Sequence, residues 1–130
     1  MPHVTIEHSA NLTEHHDVAT LVAAVHAAAL THALVAPDAL RTRACSRDVY
    51  RVADGHPLNA FVAIHVRIAP GREHAAKREL IEDLLATAER HVAAEGGPLA
   101  IAWSIELTEL DPELRINHNH VRTRMQKETG

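Results

Sequence analysis

Aromatic residues are nearly missing from this sequence. Its 130 residues include one tyrosine, one phenylalanine and one tryptophan, namely Tyr50, Phe61 and Trp103. Apolar residues still make up 46% of the chain, so a core can form, but alanine, valine, leucine and isoleucine must build it. Small side chains of this kind suit close packing of helices on a sheet. The chain length favours one domain over residues 1–130.

Cysteines, leader segments and membrane-spanning segments are also scarce or missing. Cys45 is the sole cysteine, which excludes an internal disulfide and favours a reducing compartment. The first residues lack the basic and apolar regions of a signal peptide. No apolar stretch is long enough to span a bilayer. We therefore expect a cytoplasmic protein that does not bind membranes.

The sequence also has no excess of positive charge. The formal net charge is −4, which argues against a nucleic-acid-binding protein. Eleven of the thirteen basic residues are nevertheless arginines, and four of them fall in one short stretch: Arg41, Arg43, Arg47 and Arg51. Arginine binds carboxylates through a planar two-pronged donor that lysine lacks. The arginines therefore indicate an anion site, or else the composition of a GC-rich genome.

The N-terminal stretch MPHVTIEHS begins with a proline that cannot donate a hydrogen bond to a sheet. Residues 2–9 alternate like a strand, with Val4, Ile6 and His8 on one face. Pro2 is either a tolerated residue at a strand start or is present for its nitrogen. Removal of Met1 would leave a free secondary amine. Burial beside arginines would lower the pKa of that amine from about 8 towards neutrality, as proton transfer requires.

Hydrophobic periodicity predicts four strands in all. Their boundaries are residues 2–9, 41–52, 59–68 and 99–110. The Asp54-Gly55 pair between the second and third strands is typical of a hairpin turn.

Helical spacing predicts two amphipathic helices. The first runs from a Thr13 cap to about residue 32, and the second runs from Glu73 to a stop at Gly96 and Gly97. The polar tail after Pro112 predicts either a short helix or an edge strand.

The predicted order is strand, helix, strand, repeated once, with copies at about residues 1–55 and 58–115. We therefore expect an α+β, two-layer fold. Its tandem β-α-β repeat would form a four-stranded mixed sheet with two helices on one face. The other face of that sheet has no predicted cover within the chain, so self-association is expected.

Five segments, which are spread over nearly the whole chain, together carry a resemblance to a known family. They are MPHVTIEHSANL, LRTRA at 40–44, VADG at 52–55, FVAIHVRIAPGR at 61–72 and SIELTELDPEL at 104–114. The combination resembles the tautomerase superfamily, whose members use an amino-terminal proline on a β-α-β scaffold. More narrowly, it resembles the 5-carboxymethyl-2-hydroxymuconate Δ-isomerase family.

The resemblance implies a function and a set of site residues. The reaction would be ketonisation of a hydroxymuconate in homoprotocatechuate (4-hydroxyphenylacetate) degradation, without a cofactor or metal, by a homotrimer. Pro2 would be the base, and Arg41, the first arginine of the RxR pair, would bind a carboxylate or the developing oxyanion. Arg72 of the GR loop and Arg43 would assist substrate binding. His8 is a further candidate, as a buried hydrogen-bonding group near the site.

Two other functions remain open from the sequence. One is a relative in the same superfamily that acts on a different keto-enol or unsaturated acid. The other is a non-catalytic trimeric module that binds an anion or a metal. His118 and His120 form an HxH pair that could start a metal site on an edge strand, although solvated surface histidines are the favoured interpretation.

Overall fold

A computed structural model describes residues 2–129, which form four strands and three α-helices. In chain order, these are β1 (His3–Ser9), α1 (Val18–Leu30), β2 (Arg41–Arg47), β3 (Asn59–Ile68), α2 (His74–Glu95), β4 (Ala100–Glu109) and α3 (His120–Thr129). Two short 3₁₀ turns, Ala10–Glu14 and Pro112–Leu114, lie between them. Within the described residues, no helix is both long enough and apolar enough to cross a membrane.

The four strands form one mixed sheet in the order β2-β1-β3-β4. β1 pairs with β2 in parallel, β3 pairs with β4 in parallel, and the central pair β1–β3 is antiparallel. The starts of β1 and β2 therefore meet the ends of β3 and β4 at one end of the sheet. This mixed sheet with two long helices confirms the predicted fold class.

The two β-α-β units begin with the same backbone contact. The Arg41 amide donates to the Pro2 carbonyl at 3.1 Å, and the Ala100 amide donates to the Leu58 carbonyl at 2.9 Å. In each unit, the residue that begins the second strand is therefore bonded to the residue that precedes the first strand. By this contact, Leu58 in the second unit occupies the position that Pro2 occupies in the first.

The core lies between the sheet and the helices α1 and α2. Alternate residues of β1 and β3 point into it, and the helices contribute residues spaced about four apart, as one buried face requires. Its buried strand residues are Val4, Ile6, Val62, Ile64, Val66 and Ile68; its buried helix residues are Leu21, Val25, Ala29, Leu80, Leu84, Ala88 and Val92. This is the aliphatic core that the scarcity of aromatic residues predicts.

The sheet face opposite α1 and α2 is polar. A depression of about 360 Å³ on it is lined by residues that include Thr5, Glu7, His65, Ser104 and Glu106. Arg47 Nε donates to Glu7 Oε2 at 2.7 Å, and both side chains are about half exposed. Solvent screening makes such an ion pair worth little stability. The face therefore carries polar groups that are not needed to hold the sheet together.

The start of α1 differs from the prediction. α1 begins at Val18, and the Asp17 carboxylate caps it by accepting a hydrogen bond from the Thr20 amide at 3.2 Å. Thr13 lies earlier, in the 3₁₀ turn, where its hydroxyl donates to the Ala10 carbonyl. Because an aspartate and a threonine are both good caps, the sequence alone did not separate the two positions.

The predicted hairpin at Asp54-Gly55 is wrong in its pairing, although a turn is present. Gly55 has φ +80° and Ala53 has φ +51°, so the chain does reverse here. β1 lies between β2 and β3, however, and the two strands on either side of the turn are not neighbours. β2 also ends at Arg47, before the turn begins.

Candidate active site

The candidate site lies at the end of the sheet where the chain begins. The Pro2 side chain is fully buried, on the same side of the sheet as Val4. The next residue, His3, is opposite Arg41 in the parallel register and opposite Arg67 in the antiparallel register. The central position of β1 thus brings two arginines from different strands beside the residue that follows the proline.

His3 lies between two guanidinium groups. Arg41 Nη1 is 3.2 Å from His3 Nε2, and Arg43 Nη1 is 3.1 Å from His3 Nδ1. A neutral imidazole has only one nitrogen that can accept a hydrogen bond. The tautomer of His3 therefore decides which of the two arginines is bonded and which is left with a free donor.

The same surroundings keep His3 uncharged. Burial, followed in decreasing order by the charges of Arg43, Arg41 and Arg67, lowers the pKa of His3 from 6.5 to about 4. At neutral pH, the arginines rather than His3 supply the positive charge at this end of the sheet.

A pocket of about 410 Å³ opens at this end. The sheet contributes one wall, and the segment after β4 contributes the other. Its lining residues are His3, Arg41, Arg67, Leu110, Leu114, Arg115, Ile116 and Asn117. Three arginines and no carboxylate line it, so the pocket is suited to an anion.

Hydrogen bonds fix the wall that follows β4. Arg41 Nη2 donates to Asn117 Oδ1 at 3.1 Å, which joins the sheet to this segment. Asn119 Nδ2 donates to the Asp38 carbonyl at 2.8 Å, and Arg122 binds the Asp38 carboxylate through both Nε (2.7 Å) and Nη2 (3.2 Å). The hydrogen bond from Arg122 lowers the pKa of Asp38. These contacts tie the C-terminal segment to the loop that precedes β2.

The structure brings together most of the predicted site residues. Pro2, Arg41 and Arg43 lie at one end of the sheet. Arg72 is exposed on the loop between β3 and α2, which leaves from that same end. The prediction that His8 lies near the site is wrong. His8 is buried on the helix-facing side at the other end of β1, about 17 Å along the strand from His3, and its Nδ1 lies 2.9 Å from the Ser9 carbonyl oxygen.

Four residues of the site were not identified from the sequence: His3, Arg67, Arg115 and Asn117. Alternation did place His3 and Arg67 on one face of their respective strands. Their proximity depends on the antiparallel register of β1 and β3, which no local pattern indicates. Arg115 and Asn117 lie in the irregular segment before α3, where periodicity carries no signal.

The HxH pair does not lie on an edge strand. His118 belongs to the irregular segment, and His120 begins α3. Between residues 2 and 129, no group of three or more histidine, cysteine, aspartate or glutamate side chains is placed to hold a metal ion.

The fold places the chain in the class of tandem β-α-β proteins to which the tautomerase superfamily belongs. The solved structure of F6 fused 4-OT, an asymmetric trimer, has this fold. It is 20% identical to the chain, with a TM-score of 0.57, over 82% of this chain and 85% of that one.

More specific comparisons identify the family. The family model for 5-carboxymethyl-2-hydroxymuconate isomerase matches residues 2–125. The Escherichia coli 5-carboxymethyl-2-hydroxymuconate Delta-isomerase is 30% identical over 121 residues, which cover 93% of this chain and 96% of the relative. The crystal structure of a 5-carboxymethyl-2-hydroxymuconate isomerase from Deinococcus radiodurans R1 has a TM-score of 0.84 and 28% identity, over 95% of this chain and 93% of that one.

The chain therefore belongs to the 5-carboxymethyl-2-hydroxymuconate isomerase family, and the predicted resemblance is confirmed. It is an isomerase, as the sequence analysis expects.

We predict that His3 titrates at about pH 4 in the folded protein, which NMR can measure once a His3→Gln variant has assigned the resonance. Arg43→Gln should raise this pKa because it removes one neighbouring cation. Since the folded pKa lies below 6.5, the contribution of His3 to stability is complete above pH 6.5 and is lost as the pH falls towards 4. Arg90→Gln, on the far half of α2, is the control and should change nothing. A His3 pKa near 6.5 would contradict the arrangement.

Proposed function

We propose that this chain ketonises 5-carboxymethyl-2-hydroxymuconate to its 2-oxo-3-ene isomer in homoprotocatechuate degradation. The observation that carries the proposal is the position of Pro2, which is buried at the start of β1 and is next in the chain to His3 of the arginine-lined pocket, in a member of this isomerase family. The substrate carries three carboxylates, and the pocket supplies cationic groups without competing acids.

Pro2 is the proposed base. Removal of Met1 exposes a secondary amine whose lone pair can accept a proton. Burial and the nearby guanidinium groups both disfavour the protonated amine, so we expect its pKa to lie below that of an ordinary α-amino group. A neutral amine of this kind is available as a base at physiological pH.

The proposed reaction is a proton transfer that needs no other reactant. The Pro2 amine takes the proton of the 2-hydroxyl group, and the C2–O bond becomes a carbonyl. The C2–C3 electron pair moves to form a C3–C4 double bond, and the C4–C5 pair takes a proton at C5 from the protonated amine. The amine is thereby returned to its starting state, and the product is the 2-oxo-3-ene acid.

Arg41 is proposed to stabilise the charge that develops during this transfer. Its backbone amide donates to the Pro2 carbonyl, so Arg41 adjoins the proposed base, and Asn117 holds its guanidinium in a fixed position. A donor that is already in position stabilises an oxyanion without a reorganisation cost. Arg72 and Arg43 are proposed as additional groups that attract and bind the carboxylates.

We also propose that the active assembly is a homotrimer in the cytoplasm. The polar sheet face opposite α1 and α2 would be covered by neighbouring copies. The trimeric state named for F6 fused 4-OT, which shares the fold, supports this arrangement.

For the base, we predict that Pro2→Ala lowers turnover of 5-carboxymethyl-2-hydroxymuconate about 10²-fold or more, because it replaces the secondary amine by a primary one. The measurement is an ultraviolet assay of ketonisation, together with the intact mass to establish that Met1 has been removed. Pro98→Ala, an exposed proline after α2, is the control and should keep full activity. Unchanged kinetics in Pro2→Ala would overturn the role of the amine, and a wild-type protein without Met1 that leaves this substrate unchanged would point to a different acid.

For Arg41, we predict that Arg41→Ala lowers kcat/KM about 10²-fold because both carboxylate binding and oxyanion stabilisation lose a charged donor. Arg41→Lys should recover only part of the activity, since lysine keeps the charge but not the planar pair of donors. Arg90→Ala serves as the matched control. Equal kinetics in Arg41→Ala and Arg90→Ala would remove Arg41 from the mechanism.

For the assembly, we predict a sedimentation mass of three times the 14.2 kDa chain. Ala63→Arg, which introduces a large cation on the half-buried polar sheet face, should dissociate the trimer. Ala23→Arg, on the exposed side of α1, should leave it intact. A monomeric wild-type protein, or dissociation by Ala23→Arg alone, would rule out this interface.

A further inference from the structure

Arg67 has a buried charged group that lacks a hydrogen-bond acceptor among the described residues. Its Nε atom is buried and has no hydrogen-bond partner among the described residues. A buried charged donor without an acceptor is costly, and water, an ion or a ligand can supply the missing acceptor. Arg67 also lines the 410 Å³ pocket, so a ligand in that pocket can reach it.

Arg115 stands on the opposite wall of the same pocket. It lies in the segment that follows β4, and its side chain is half-buried. Within residues 2–129, no side-chain hydrogen bond or ion pair involves Arg115. The neighbouring contacts of Asn117 and Asn119 hold its backbone in place, so Arg115 is positioned without being neutralised.

Several acidic residues near Arg67 and Arg115 already have other partners. Glu109 binds Lys77, with Nζ and Oε1 2.9 Å apart, and Asp111 accepts a hydrogen bond from the Glu113 amide at 3.0 Å. On the sheet, Glu7 is bound by Arg47. Glu106 shares the sheet-face depression with Arg67, and Glu113 precedes Arg115 by two residues, but within residues 2–129 neither carboxylate forms an ion pair with these arginines. The positive charge of Arg67 and Arg115 is therefore available to a ligand.

We propose that Arg67 and Arg115 form a second carboxylate subsite in this pocket and bind the carboxymethyl group of the substrate. This inference rests on the proposed function. Arg41, which is bonded to Pro2, serves the carboxylate and oxygen at the reacting end. Arg67 and Arg115 serve the additional carboxylate that distinguishes this substrate from 2-hydroxymuconate. They determine specificity and take no part in the proton transfer.

The test compares two substrates that differ only in the carboxymethyl group. Arg115→Gln is expected to lower kcat/KM for 5-carboxymethyl-2-hydroxymuconate about ten- to hundredfold, which is the usual effect of losing one charged hydrogen bond. For 2-hydroxymuconate, it should change kcat/KM less than about twofold. Arg67→Gln should show the same selective loss, with its folding checked by circular dichroism. Arg90→Gln is the control and should match the wild type on both substrates.

Two outcomes would overturn the subsite. One is an equal loss on both substrates, which would indicate a general role for Arg115 in the fold or in attraction of anions. The other is no loss on either substrate.

A binding measurement separates this inference from the proposed function. Calorimetry with two unreactive probes, propane-1,2,3-tricarboxylate and propane-1,3-dicarboxylate, needs no turnover. The wild type should bind the tricarboxylate more tightly, and Arg115→Gln should remove that difference. If the wild type turns over neither substrate but shows this preference, the proposed function fails and the subsite stands. Equal affinity of the wild type for both probes would overturn the subsite whatever the activity.

Discussion

The antiparallel pairing of β1 with β3 is the constraint on which the rest of the structure depends. Each β-α-β unit alone is a parallel pair of strands with one helix. Joining the two units through antiparallel central strands brings the start of the first unit to the end of the second. As a result, Pro2 and Arg41 from one unit face Arg67 and the C-terminal segment from the other. The pocket depends on this arrangement, because the first unit supplies His3 and Arg41 and the second supplies Arg67 and the segment after β4.

Electrostatics then gives this end of the sheet its chemistry. Arg41, Arg43 and Arg67 surround a histidine that remains neutral, so the site gathers positive charge without gaining an acid. The same charges that attract a polyanion also disfavour protonation of a nearby amine. Substrate binding and activation of the proposed base thus have one physical cause. The bidentate contact between Arg122 and Asp38 acts at a distance from this chemistry, because it holds the second wall of the pocket in place.

The sequence predicts the elements well wherever one face of an element is buried. β3 begins and ends where its alternation does, because every second side chain from Ala60 to Ile68 is in the core. Prediction fails where partners are distant in sequence or where two residues suit the same role. The Asp54-Gly55 turn indicates a hairpin between β2 and β3, but β1 lies between these two strands in the sheet. Alternation predicts which side of β1 carries His8. The distance of His8 from Pro2, however, depends on the length of the strand between them. Assigning Arg67 to the site required the register of β1 with β3. Assigning Arg115 required the path of the irregular segment before α3.

The two units begin with the same backbone hydrogen bond, but the nitrogen atoms at the two starting positions differ in their chemistry. Leu58 occupies in the second unit the position that Pro2 occupies in the first, and its carbonyl accepts the equivalent hydrogen bond. Its nitrogen, however, belongs to a peptide bond and donates to His56 Nδ1 at 3.0 Å. A peptide nitrogen has no basic lone pair, so the second unit has no amine equivalent to the one proposed for Pro2. Covalent fusion thus leaves the start of β3, at the opposite end of the sheet, without the group on which the proposed proton transfer depends.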